Sequence, residues 1–243
     1  MFNTYITEPL FNLLFFIYAL IPGHDFGLAV IVFTLLVRLA LWPLVTKQLH
    51  SQRAMQKLAP EVAKVKKKAK GDRQKETQML MELYKEKGTN PFASLLPLFV
   101  QIPIFIALFF VLQDSIKAGE VARLAYEPIR NLDAIAALIS NKVTLSATLF
   151  GLIDLTKPSL VLALLAGGAQ YYQTKQLTPK QHEMDDTAKM MANMGKIFPI
   201  ITVVISMTLP AALALYWAVT SLVAILQQHL VLHRDAEEMK EMA

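Results

Sequence analysis

Cysteine is absent from the 243 residues. That excludes thiolate nucleophiles, thiolate-ligated zinc, iron–sulfur centres, disulfides and lipid attachment through Cys. Charge is also scarce. Only 18% of residues are Asp, Glu, Lys or Arg and 54% are hydrophobic, against about 25% and 45–50% in soluble domains. The long apolar runs contain no carboxylate, so they offer no aspartyl-protease pair and no proton or sodium relay. HExxH, GxSxG, Walker and GxGxxG motifs are missing too, so no enzyme, metal or cofactor is expected. His229 and His233 stand four apart, a metal-compatible spacing with no third ligand in sight.

What is present is apolar sequence in blocks, with a mean hydropathy of +0.41. This reads as an all-α integral membrane protein of five spans. Residues 1–26 are expected to hold an amphipathic helix on the membrane surface, because the run Leu10–Ile21, interrupted by Asn12, is too short to cross a bilayer of ~30 Å. The core, 27–232, is expected to contain spans at about 27–45, 92–112, 158–175, 190–209 and 211–232. Asn90 and Pro91 open the second span, and Pro97 and Pro103 lie inside it, as spans tolerate. Gly167, Gly168 and Ala169 give the third a close-packing face. The uncharged stretch Ile197–Leu226 would be ~45 Å as one helix. It is therefore divided at Pro210 into two spans joined so tightly that they are expected to be antiparallel neighbours.

The distribution of charge sets the expected orientation. Between Lys47 and Lys87 lie 12 Lys or Arg and five Asp or Glu, a surplus larger than the +5 of the whole chain. The loop at 113–157 is balanced, with five of each sign. The first loop is therefore expected to face the cytoplasm, the second the exterior, with the N-terminus outside and the C-terminus, including the tail 233–243, inside a cell (plasma) membrane. Within the basic loop, Met55, Leu58, Val62 and Val65 form a helical stripe. Gly71–Asp72 signals a turn, and Leu80, Leu83 and Tyr84 supply a second apolar face. This reads as a helical hairpin over 48–87. Its Arg53, Lys57, Lys64, Lys66, Lys67, Lys68, Lys70 and Arg73 make a recruitment surface for ribosomal RNA, anionic lipid or acidic protein. Met184, Met190, Met191 and Met194 cluster ahead of the fourth span, either as filler or as an adaptable surface for apolar partners.

Arg38 is the one strongly charged residue in a span core. An Arg at mid-membrane costs roughly 2.5–3.5 kcal/mol on insertion scales. It either snorkels toward the interface marked by Lys47 or faces a wet cavity where an anionic group could pair with it. Thr34 and Trp42, four residues to either side, share its face on a continuous helix. Gln101, Gln170, Tyr216 and Trp217 lie in other spans, and together these residues suit the lining of a hydrophilic groove. A small solute transporter or channel, or a purely structural translocon-associated assembly chaperone, are the alternatives.

Four stretches carry a more specific signal: FTLLVRLALWPLVTKQLHSQRAMQKLAPEVAKVKKKAK, ELYKEKGTNPFASLLPLFVQIPIFIALFFVL, LFGLIDLTKPS and PAALALYWAVTSLVAILQQ. In order and spacing they resemble the YidC family of membrane protein insertases, over about Gly27 to Leu232. The resemblance implies five core helices around a groove open to the cytoplasm and to lipid but closed on the outer side. Arg38 matches the groove arginine, Thr34 and Trp42 its helical neighbours, and Tyr216 and Trp217 the aromatic pair of the last span. The hairpin matches the family's cytoplasmic coiled region. The implied activity is insertion of nascent membrane proteins: short polar tails are moved across the bilayer and hydrophobic segments released sideways into lipid. Nascent chains and the phospholipid bilayer are the implied partners, with the ribosome, signal recognition machinery and Sec translocon as further candidates, and no DNA. The chain departs from some members in lacking a large periplasmic domain and a lipoprotein cysteine, and its short acidic tail argues against ribosome binding there.

Overall fold

The structure, a computed structural model, describes residues 3–89, 102–107, 109–112, 119–177 and 186–241. It is almost wholly helical. After a π turn at Asn3–Thr7 come α1 (Glu8–Leu20), α2 (Phe26–Ala40), α3 (Trp42–Ala69) and α4 (Arg73–Glu86). A short apolar helix, α5, spans Ile102–Leu112. The short helices α6 (Glu120–Leu124), α7 (Glu127–Arg130) and α8 (Asp133–Ile139) follow. A small antiparallel hairpin, β1 (Thr148–Leu149) with β2 (Ile153–Asp154), precedes α9 (Leu160–Leu177), α10 (Asp186–Ser206) and α11 (Ala211–Glu241).

The N-terminal run does form a helix, but its apolar face meets protein. Phe11, Leu14, Phe15 and Tyr18 follow helical spacing and are buried in the main core, packed on α2 and on the short helices α6 to α8. Asn12, the polar interruption in that run, explains the docking. Its Nδ2 donates to Leu124 O at 3.0 Å, and its Oδ1 accepts from Tyr126 N at 2.6 Å. A buried amide with both ends satisfied ties α1 to the segment after α6, its hydrogen bonds offsetting the cost of desolvation.

The first expected span is not one straight helix. It ends at Ala40 and resumes at Trp42, with the two parts bent by 62°. Pro43 is the cause: it has no N–H for the carbonyl four residues back, and its ring clashes with that turn. Asp25 sets the other end of α2, its Oδ1 accepting from Leu28 N at 2.8 Å, an N-cap bond. With 15 residues, α2 is ~22 Å long, short of a ~30 Å hydrocarbon layer. Helix α3 then runs unbroken from the break to Ala69, so no boundary separates span from hairpin at residue 48. It closes on Lys70 (φ 50°) and Gly71 (φ 88°), and Asp72 caps α4 by accepting from Gln74 N and Lys75 N. Leu58, Ala69 and Leu83 are buried where α3 and α4 pack, and Lys87 pairs with Glu61 at 3.2 Å.

At the other end, helices α9 and α11 run side by side in the same direction. Their starts are joined by Ala211 N to Lys157 O and Ala212 N to Leu155 O, which satisfies two N-terminal donors of α11. Ser221 reaches Gln170 further along. Helix α9 packs extensively on both α10 and α11, whereas α10 and α11 touch each other little. The expected neighbour relation between the last two spans is thus replaced by an intervening α9. Gly167 makes this possible: a Cβ there would strike the Val203 side chain on α10 and come within 3.1 Å of Pro199 O. Gly168 faces open space, so one glycine of the small-residue face forms the contact. Among the described residues, Ala211–Val231 is by itself long and apolar enough to cross a bilayer, and the bent pair Phe26–Ala40 with Trp42–Met55 is a second candidate.

Candidate functional site

The break after Ala40 places Arg38 in the last turn of α2, three residues before the bend at Leu41. Its guanidinium reaches across to α11, where Nη2 donates to Thr220 O at 2.8 Å. Helix carbonyls carry partial negative charge, so this is a charge-assisted hydrogen bond. Only one of the five N–H donors of an arginine is used this way. Nε is buried without a partner, and no carboxylate pairs with Arg38 among the described residues. The cation is therefore held by a neutral oxygen.

Around it, α11 presents one face in register: Tyr216, Thr220 and Gln227 recur at four and seven residues. Tyr216 is buried and lies within electrostatic reach of Arg38. Gln227 Nε2 donates to Trp42 O at 3.1 Å and to Thr46 Oγ1 at 3.3 Å. A carbonyl can only accept, so the bond to Trp42 O fixes the orientation of that amide and leaves Gln227 Oε1 unpaired. Thr220 Oγ1 is likewise buried and unpaired. Buried polar atoms in native proteins nearly always find a protein or water partner. The stretch from Arg38 Nε past Thr220 to Gln227 thus has unfilled capacity for both an acceptor and donors.

The other expected residues are distributed as follows. Thr34 is wholly buried, and its hydroxyl donates to Val30 O within its own helix at 2.6 Å, so it presents no free donor. Trp42 lies beyond the bend, on α3, and does not share a continuous helical face with Arg38. Its carbonyl, through Gln227, links the bend to α11. Gln170 accepts from Ser221 Oγ at 3.2 Å on the α9 side of α11. Trp217 stacks on Phe105 of α5, ring centroids 5.1 Å apart and planes 15° from parallel. Gln101 lies outside the described residues. On the hairpin, Lys57, Lys64, Lys67, Lys68, Lys70 and Arg73 are exposed, and Arg53 and Lys66 are half-buried. Thr220, Gln227 and Thr46 escaped the sequence reading. The heptad step from Thr220 to Gln227 was a usable signal, but the bond to a main-chain carbonyl leaves no trace in side-chain identity.

Fold and site define a class: a mostly helical protein with one apolar helix of bilayer length, a bent apolar pair as a second candidate, and a guanidinium held between them by a carbonyl. Among the described residues it has no cluster of His, Asp or Glu able to hold a metal. The family model described as "60Kd inner membrane protein" matches residues 16–238. A relative named "Membrane protein insertase YidC" from Fusobacterium nucleatum is 34% identical over 212 residues, covering 87% of this chain and 88% of that one. One of the same name from Clostridium tetani is 36% identical over 203 residues, covering 83% and 79%. A third, from Magnetococcus marinus, is 31% identical over 234 residues, covering 96% of this chain but 36% of its own length. The chain belongs to the YidC family of membrane protein insertases, and it is a membrane protein.

Proposed function

We propose that this protein carries short polar tails of nascent membrane proteins across the bilayer and releases their hydrophobic segments sideways into lipid, using a hydrophilic groove centred on Arg38. The observation that carries the reading is the state of that arginine. It is restrained by a single carbonyl oxygen, has an unpartnered buried Nε, and meets no carboxylate among the described residues. A permanent Asp or Glu partner would neutralise it, and a snorkelling arginine would have its head in water. Held as it is, it can exchange the Thr220 carbonyl for a passing carboxylate and then recover it. Two unit charges 4 Å apart attract by ~4 kcal/mol at an effective dielectric of 20 and by ~1 kcal/mol in water. A transient pair of this size favours entry without trapping the tail.

The remaining steps use general physics. A 15-residue α2 shortens the low-dielectric distance the tail crosses. A membrane potential negative inside assists an anionic tail by ~2.3 kcal/mol per charge per 100 mV. The substrate's apolar segment leaves along exposed apolar helix surfaces, Ile102, Ile106 and Phe110 on α5 and Ile197, Phe198, Ile200 and Ile201 on α10, driven by burial worth ~25 cal/mol per Å². No nucleotide is required. The basic hairpin α3–α4 would face the cytoplasm and meet the incoming chain or its carriers, the ribosome, signal recognition machinery or Sec translocon. Five crossings, with the N-terminus outside and the C-terminus inside, complete the proposed arrangement.

Reconstituted vesicles test it. Arg38→Ala should abolish most insertion of a substrate with an acidic translocated tail, and Arg38→Lys should retain much of it. Equal insertion by wild type and Arg38→Ala would overturn the role of the arginine.

A further inference from the structure

The β1–β2 hairpin carries a feature that insertion through the groove does not use. Three residues, Phe150, Gly151 and Leu152, join the strands; Phe150 and Gly151 both have positive φ (52° and 68°), and Leu152 N donates to Leu149 O at 3.0 Å. Two central residues in the left-handed region make a type I′ turn, whose first position favours Asn, Asp or Gly. Phenylalanine is disfavoured there, because its Cβ crowds the backbone. Burial within the protein does not explain its presence: Phe150 is 63% exposed and Leu152 beside it 86%.

The base of the hairpin is rigidly placed. Leu149 is buried against Gly27, where even a Cβ would come within 2.6–2.8 Å of three Leu149 atoms. Phe150 N donates to Asp25 Oδ2 at 2.6 Å, while Asp25 Oδ1 caps α2. The Leu149 side chain and the Phe150 N–H thus hold the turn at the N-terminal end of α2, an apolar helix of a membrane protein, and aromatic residues gather at membrane interfaces. The exposed apolar surface resumes within ten residues of the turn, where Leu160, Val161, Leu164 and Leu165 of α9 are each more than half exposed. Asp154 and Lys157, paired at 3.1 Å, flank it with charge. Two side chains are far too few for a protein interface, which takes about 800 Å² per partner; lipid needs only apolar area.

We propose that Phe150 and Leu152 form an interfacial anchor, dipping into the lipid layer at the α2 N-terminal end and fixing the depth of the segment packed over it. The anchor rests on membrane localisation and not on the groove, so Arg38→Ala leaves it intact, and either idea can fail alone. Only the choice of leaflet, the outer one, follows from the orientation proposed above.

The absence of cysteine makes the test direct. A single Leu152→Cys carries an environment-sensitive fluorophore in vesicles of phosphatidylcholine and phosphatidylglycerol, with exposed Thr77→Cys on α4 as reference. The Leu152 probe should be blue-shifted relative to the Thr77 probe, quenched more by nitroxide near the lipid headgroups than deep in the chains, and protected from aqueous iodide. Adding Phe150→Asn, which suits the turn, should keep the protein folded by thermal melt yet reduce lipid quenching about twofold or more. A water-like probe, a blue-shifted probe that no lipid nitroxide quenches, or quenching unchanged by Phe150→Asn would each overturn the anchor.

Discussion

Adding one methyl group to each of two adjacent glycines separates packing from helix propensity in α9. At Gly167 the new Cβ would overlap the Val203 side chain and stand 3.1 Å from Pro199 O, whereas at Gly168 it meets nothing within 4 Å. Valine is stiff about χ1 and cannot swing clear. The carbonyl of Pro199 belongs to the α10 backbone and moves only with the helix. Overpacking of this kind costs about 1–3 kcal/mol, while Gly to Ala in a helix gains ~1 kcal/mol. The propensity gain is common to both variants and cancels between them. The comparison therefore isolates the overlap: Gly167→Ala should be less stable than Gly168→Ala by about 1–3 kcal/mol. Thermal unfolding in detergent reads this as a Tm difference of at least ~2 °C, with Gly168→Ala at or above wild type. A Gly167→Ala protein melting at or above Gly168→Ala would refute the close approach of α9 and α10, and with it the placement of α9 between α10 and α11.

Asn12→Leu keeps the branched outline of the side chain but leaves Leu124 O and Tyr126 N without their partner. It should cost about 1–3 kcal/mol and accelerate amide hydrogen exchange at Tyr126; unchanged exchange there would show that the tie does not hold α1 to the segment after α6. Asp154 is held down to about 2 by hydrogen bonds from the Thr156 hydroxyl, the Thr156 N–H and Lys157. Since its folded value lies below the ordinary carboxylate range, its contribution is complete above about pH 4. It is lost as pH falls through about 2. Carbon NMR of the carboxylate should follow that titration and show it moved upward in Thr156→Val; an unmoved midpoint would remove the threonine from the explanation.

The hairpin arms and the turn at Gly71–Asp72 were legible because each rests on local chemistry: a helical stripe, and a glycine beside an aspartate at the break. The helix at the N-terminus was equally legible, but its destination was not. Short apolar helices look alike whether they bind lipid or protein, and only Asn12 distinguishes them, through an acceptor and a donor more than a hundred residues away. The order of α9, α10 and α11 was misread for a related reason. A short connection constrains the ends of two helices but does not stop a third with a glycine at the crossing from lying between them. The secondary structure within 119–157 could not be read from a balanced charge count, because helices α6 to α8 are four to seven residues long, below the length at which periodicity is informative.

Pro43 was visible in the sequence, yet its effect on the site depends on position. In a uniform span, Arg38 would be one cation along a regular helix wall, with every nearby carbonyl engaged in the ladder. The bend interrupts the ladder just past Arg38. Pro43 offers no N–H to the ladder, and α3 begins on a new axis turned by 62°. Past the bend, the Trp42 carbonyl meets Gln227, on the same α11 face as Thr220, whose carbonyl holds the arginine. A single proline thereby shortens α2 and ends it beside the cation. The charge and the break belong to one device. An arginine moved one helical turn toward the N-terminus would stand at position 34, away from the bend, and would lose the Thr220 carbonyl that now restrains it.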